Sequence, residues 1–217
     1  MITLYSWATG NGRRASIMLE ECGLPYELHA MELSSRVQKS DWYLKINPDG
    51  RIPCVVDSDA GDGRSVTISE SGAILLYLAE KSGKLLPSGG AARGEAFKWL
   101  FIGTSNISPM AMQVHWLGRM ATGERAALPQ SELYFKVYQD EVRRLYGLMD
   151  RRLADNPYLA GADFSIADIA AYPWVYRYPQ QDIALDDLPH LARWLKTVGG
   201  RPAVARGMQI PPRRDGL

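Results

Sequence analysis

Two short stretches are suited together to hold a small peptide that carries a carboxylate. They are Arg51-Ile52-Pro53, at the head of an apolar strand, and Ser69-Glu70-Ser71-Gly72, opening an apolar helical stretch. A proline at a strand's head removes a ladder donor, so Ile52 before it can turn its own N–H and C=O toward a ligand. A cis Ile52-Pro53 bond would make that turn sharp and fixed. A helix beginning at Glu70-Ser71 shows open backbone N–H groups and the positive end of its dipole, which favour an anion. Glu70 beside them matches an ammonium. Carboxylate plus ammonium is the α-amino-acid end of a molecule. Either stretch alone is commonplace, as an edge-strand proline or an ordinary helix start, so the information lies in their conjunction.

The elements that must position these residues follow from periodicity. Ile2-Thr3-Leu4-Tyr5 reads as a short strand, and Ala15, Met18, Leu19 and Cys22 recur at helical spacing until Gly23 and Pro25 stop them. Tyr26, Leu28 and Ala30 alternate as a second strand, which makes a βαβ unit. Cys54 to Val56 and Val66 to Ile68 are two further strands joined by a turn-rich link, Asp57-Ser58-Asp59-Ala60-Gly61-Asp62-Gly63. Ile74, Leu75, Leu78 and Ala79 then supply one face of a helix. The order βαβ…ββα, with proline heading the third strand, is that of a thioredoxin-like domain over 1–82. Gly83, Pro87, Gly89 and Gly90 mark a linker over 83–91, and 92–217 reads as all-helical. Within it, Ala92 to Asn106 is one helix ending before Pro109. Ser131 to Ala154 is a long one, with Val137, Val142, Leu145, Leu148 and Met149 on or near one face. At Phe164-Ser165-Ile166-Ala167-Asp168-Ile169, Ser165 and Asp168 have the spacing of a capping box, a structural device that nucleates a buried helix. Leu188 to Val198 completes the set. The fold class is thus an α/β thioredoxin-like domain followed by an all-α domain.

A redox-active thioredoxin-like domain carries C-x-x-C after its first strand, where a helix N-terminus lowers a thiol pKa. Here that loop is Ser6-Trp7-Ala8-Thr9-Gly10-Asn11-Gly12 and has no cysteine. The simplest resolution is that the thiol arrives with the ligand. A cysteine-containing peptide held at Ile52 and at Glu70-Ser71 would bring its sulfur to this loop, and glutathione fits that description.

These residues carry a family resemblance. The domain order, Arg51-Ile52-Pro53, the run Ser69 to Leu75, the Asn47-Pro48 turn and Phe164 to Ile169 resemble a cytosolic glutathione transferase over nearly the whole chain. The loop Thr9-Gly10-Asn11-Gly12 further resembles the bacterial nu class. The resemblance implies glutathione-dependent disulfide-bond reduction, with transferase or peroxidase activity alongside, and a homodimer. It places Gln38 at a contact with the glycine carboxylate of glutathione. It also implies an arginine from the partner subunit in the long helix, where this chain has Val137 with Lys136 beside it. Conjugation of glutathione to small electrophiles is an alternative. So is a regulator or binding module without catalysis, as in a fungal nitrogen regulator resembling the nu class.

The glutathione thiol has an unperturbed pKa of ~8.5, so lowering it by about two units takes roughly 2.7 kcal/mol of preferential thiolate binding. The Thr9 hydroxyl, the Asn11 amide and a loop backbone N–H could supply that at ~1.5–3 kcal/mol per charge-assisted bond before discounting for solvent. None of them is a base, so the role assigned to Thr9 and Asn11 is electrostatic stabilisation of sulfur. Glu70, Ser71, Gln38, Arg51, Ile52 and Pro53 form the binding set, with Trp116 and Tyr176 as candidates for lining an electrophile pocket.

The composition excludes other classes. A formal charge of +1 over 217 residues gives a nucleic-acid surface no electrostatic support. Arg13-Arg14, Arg143-Arg144, Arg151-Arg152 and Arg213-Arg214 are scattered pairs that read as mostly solvated helix faces. No apolar run approaches the ~20 residues that span a bilayer, and the amino terminus is a strand pattern, so the expected compartment is the cytoplasm. Cys22 and Cys54 lack framework spacing, and His29, His115 and His190 lack metal-ligand spacing, so no metal is expected. Cys22 reads as core, and Ser6 is a minor rival to Thr9.

Overall fold

The computed structural model describes residues 1–120 and 131–212, which form two compact units. Of the arginine pairs, Arg213-Arg214 lies outside the described residues.

The first unit is built on a four-stranded sheet of order β2-β1-β3-β4, with β1 Ile2–Ser6, β2 Tyr26–Ala30, β3 Cys54–Asp57 and β4 Val66–Ser69. β1 runs parallel to β2 and antiparallel to β3, and Leu4 sits opposite both Leu28 and Val55. α1 (Gly10–Cys22) buries Ala15, Met18, Leu19 and Cys22, the apolar stripe read from the sequence, together with Ile17. Two 3₁₀ turns, Leu33–Ser35 and Val37–Lys39, and the single helical turn α2 (Asp41–Leu44) lead into the Pro53 loop. α3 (Ser71–Ser82) buries Ile74, Leu75, Leu78 and Ala79. It is tied to β3 through buried Asp57, whose Oδ2 accepts from Tyr77 Oη at 2.7 Å and pairs with Lys81 Nζ at 2.8 Å.

The described residues from 199 to 212 group with the first unit. The reason is packing. α9 (Pro202–Gly207) lies on α1 so closely that a Cβ on Gly207 would come within 2.5 Å of Ile17 Cα. Ser16 Oγ donates to the Gly207 carbonyl at 2.8 Å, and Arg201 makes a two-pronged pair with Glu21 at 2.7 and 2.8 Å.

The second unit contains α4 (Gly90–Phe101), α5 (Ser108–Met120), α6 (Ser131–Ala154), α7 (Ile166–Val175) and α8 (Pro189–Gly199), the last ending at the unit boundary. Every residue of α7 is buried, and the capping box at Ser165 and Asp168 is formed. Two expectations are corrected here. The chain does not leave helical geometry before Pro109: a π-helical turn over Ile102–Ile107 joins α4 to α5, and Pro109 falls in the first turn of α5, where a missing donor is tolerated. Gly103 in that turn lies against α7, where a Cβ would sit 2.9 Å from Ala170 Cβ. Val137 is 54% exposed, whereas Val142, Leu145 and Met149 are buried. Five residues at about 100° each carry Val137 some 140° round the helix from Val142.

Candidate functional site

The first-strand loop leads directly into α1. Thr9 is the N-cap, extended at φ −106° and ψ 166°, and its Oγ1 accepts from the Gly12 N–H at 3.0 Å. A hydroxyl that accepts in this way keeps its own hydrogen to donate. Gly12 is required by close approach, since a Cβ there would lie 2.1 Å from the Trp7 carbonyl oxygen. The leading N–H groups of α1 have no partner within the helix and make this end electropositive. Asn11, in the first turn, uses its Oδ1 to accept from Arg14 Nη1 at 2.9 Å.

The Pro53 loop is held from behind. Tyr43 Oη and Asn47 Nδ2 both donate to the Arg51 carbonyl, at 2.6 and 2.8 Å, and the Ile52-Pro53 bond that follows is cis. Gly50 adopts φ 60° just before, and its bare Cα admits the neighbouring turn, because a Cβ would meet the Gln38 carbonyl oxygen at 2.8 Å. Gln38 is thereby brought to the same loop as Arg51 and Ile52. Its Oε1 is buried with no hydrogen-bond partner among the described residues. Leaving such an atom unpaired costs about 1–3 kcal/mol, which a ligand N–H, or a turn of the amide toward a ligand carboxylate, would relieve. The Arg51 side chain itself is exposed.

At the start of α3, Glu70 is held at φ 68° and ψ 116° with its carboxylate exposed, and Ser71 begins the helix, 6% exposed. Arg14 joins the two helix starts. It is 1% exposed, and the Nη1 that donates to Asn11 also donates to Ser71 Oγ at 3.1 Å. Burial pushes its guanidinium down to about 9, opposed by the charge of Glu70. Arg14 is thus an exception to the mostly solvated arginine pairs expected from the sequence. The signal was in the spacing: positions 14, 15, 18, 19 and 22 form one helical face, so Arg14 continues the apolar stripe.

The two thiols are not poised for chemistry. Cys54 is fully buried and burial pushes its thiol up to about 11, while Cys22 is raised by burial against a hydrogen bond from Ser82. Ser6 Oγ is buried without a partner among the described residues, facing α1 beside Gly12. Trp116 and Tyr176, in the second unit, are 52% and 51% exposed. Among the described residues no cluster of His, Cys, Asp and Glu could hold a metal ion, and no helix is long and apolar enough to cross a membrane.

Two family models match the chain: the glutathione S-transferase N-terminal domain over residues 11–81 and the C-terminal domain over 107–202. The disulfide-bond oxidoreductase YfcG of Escherichia coli is 38% identical over 210 residues, which cover 96% of this chain and 94% of that protein. The chain belongs to the glutathione S-transferase family. A second relative from the same organism, the disulfide-bond oxidoreductase YghU, is 33% identical over 95% of this chain and 73% of its own length. Among solved structures, a glutathione transferase from Burkholderia graminis with two glutathione molecules per subunit superposes with a TM-score of 0.90. It is 36% identical and covers 98% of this chain and 89% of its own. A Pseudomonas putida glutathione transferase with one glutathione disulfide per subunit gives 0.89 at 35% identity, covering 97% and 91%. The thioredoxin-like sheet and the helical second unit of this transferase are therefore the family architecture.

Proposed function

We propose that this glutathione transferase binds glutathione on its first unit and uses the bound thiolate to reduce disulfides. The observation that carries the reading is the loop at the start of α1. It keeps the open helix N-terminus of a thiol-activating fold, adds Thr9 and Asn11, has no cysteine of its own, and belongs to a chain whose two cysteines are both buried. Glutathione supplies the sulfur. The N–H groups of the first turn, the Thr9 hydroxyl and the Asn11 amide hold it ionised. Ile52 beside Pro53 pairs with the peptide backbone, Gln38 and Arg51 lie toward the glycine end, and Glu70 with Ser71 takes the α-amino-acid end. The thiolate then attacks one sulfur of a disulfide, the other sulfur leaves as a thiolate and is protonated, and a second glutathione resolves the mixed disulfide to give oxidised glutathione.

The names of the two relatives favour disulfide reduction over conjugation, and the Thr9-Gly10-Asn11-Gly12 loop supports placement in the nu class, acting in the cytoplasm as a homodimer. At the helix position where the nu class has an arginine from the partner subunit, Val137 is apolar and neighbouring Lys136 is paired with Asp140 at 2.7 Å. A second glutathione is therefore either held by other groups or not held at this site. The deciding experiment compares turnover of a small hydroxyalkyl disulfide with that of a chloronitrobenzene, both with glutathione. Dominant disulfide turnover is expected. Dominant conjugation would overturn the choice of reaction, and no heat on titrating millimolar glutathione would overturn the enzyme reading altogether.

A further inference from the structure

Arg14 bridges the two helix starts through one buried nitrogen, with Asn11 Oδ1 at 2.9 Å and Ser71 Oγ at 3.1 Å, one for each hydrogen of Nη1. We propose that Arg14 is a positioning residue that makes one site of two half-sites, fixing the Asn11 amide at the sulfur end and the Ser71 hydroxyl at the carboxylate end of the bound peptide. The inference rests on the glutathione reading above.

The argument is one of donor and acceptor count. A guanidinium only donates, so whatever faces it must show an oxygen. Asn11 meets that demand with Oδ1, which orients Nδ2, the donor end, away from Arg14. An amide not so held can turn over, and its oxygen would then repel a thiolate instead of stabilising it. Ser71 meets the same demand with its hydroxyl oxygen, which turns the O–H away from Arg14 toward an acceptor such as a carboxylate. Both ligand-facing groups are thereby set as donors, the polarity that an anion requires at each end. Arg14 is 1% exposed, so this control operates out of water, where a charge-assisted bond is strongest. The cation also lies beneath two helix N-termini, adding its charge to theirs under the bound anion.

The test replaces Arg14 with methionine, similar in length and without donors, and with lysine, which keeps donors and charge. Glutathione binding is followed by calorimetry, and the acidity of the bound thiol by its thiolate absorbance across pH. In Arg14→Met the bound thiol is expected to titrate about one pKa unit higher, with glutathione held about tenfold more weakly, and Arg14→Lys recovers most of both. A brace that only stiffens the fold would lower the melting temperature and leave the acidity of bound glutathione unmoved. A folded Arg14→Met with native thiol acidity and affinity overturns the inference while leaving the glutathione reading intact; wild-type protein that binds no glutathione overturns both. Should Arg14→Met fail to fold, a cycle of Asn11→Ala and Ser71→Ala decides. Losses of affinity that couple by at least about threefold support the bridge, and losses that multiply independently refute it.

Discussion

The Thr9 hydroxyl oxygen accepts from the Gly12 N–H and so caps α1, while its hydrogen is available to a ligand. One side chain thus serves folding and the site at once, and the two contributions separate by experiment. Thr9→Ala removes both, at a stability cost of about 1 kcal/mol for the lost cap. Thr9→Ser keeps both. Combining Thr9→Ala with Asn11→Ala removes two donors from sulfur, and the bound thiol should return to within about one unit of its unperturbed ~8.5, with kcat/KM at neutral pH falling on the order of a hundredfold. Thiolate absorbance of the complex and steady-state rates check this, and unaltered acidity and turnover would remove these two residues from the mechanism. At this scale the sequence was legible where local chemistry decides the backbone. The turn at Ile52-Pro53 and the helix start at Ser71 could be read because proline and a helix start have fixed meanings, whereas Gln38 was proposed only through the family resemblance. Arg14 escaped because an arginine pair near a helix start is usually solvated. Its place on the apolar face of α1 points inward, and one of its buried partners, Ser71, lies fifty-seven residues away.

The capping box that begins α7 shows how an element can be legible from four residues and still hold more than they reveal. Asp168 accepts from Ser165 as the spacing required. It also accepts from the Leu159 N–H at 3.0 Å and from Trp194 Nε1 at 2.8 Å, so one carboxylate ties together α7, the loop before it and α8. Burial pushes its pKa up to about 6, outweighing these donors. A carboxyl raised above its unfolded value near 3.9 favours folding most when protonated, so its contribution is fullest below about pH 4 and is lost as pH rises through about 6. Asp168→Asn cannot titrate and offers an N–H₂ where two oxygens are needed. It should therefore unfold at lower urea at every pH, by about 2–3 kcal/mol at neutral pH. The stability gap between wild type and variant should be widest near pH 4 and narrow toward pH 6.5; a gap that widens with pH would reverse the assignment. The π turn over Ile102–Ile107 was invisible by contrast. Gly103 to Asn106 are weak helix formers, which predicts a helix end and not a π turn, and the turn's shape accompanies the tight approach of Gly103 to Ala170 on α7.

Among the described residues, an apolar stripe lies exposed along α6. On α6, Leu133, Tyr134 and Val137 are 63%, 50% and 54% exposed, and at about 100° per residue they fall within one stripe about 100° wide. Sequence periodicity placed Val137 with the core because an apolar residue on an amphipathic helix has only that use within a single chain. A second copy supplies another, since covering such a stripe removes apolar area from water at about 25 cal/mol per Å². A stable interface needs roughly 800 Å² from each partner, more than one short stripe offers, so α6 would contribute the centre of a wider contact. The wild-type protein should therefore have twice the chain mass of 24.2 kDa at micromolar concentration by light scattering. Leu133→Lys combined with Val137→Glu should run as a monomer with an unchanged far-ultraviolet spectrum, because neither side chain belongs to the buried face of α6. A monomeric wild type refutes the homodimer, and a double variant that stays dimeric moves the interface off this stripe. Glutathione affinity per chain should survive in the monomer, since every binding residue named here lies in the first unit.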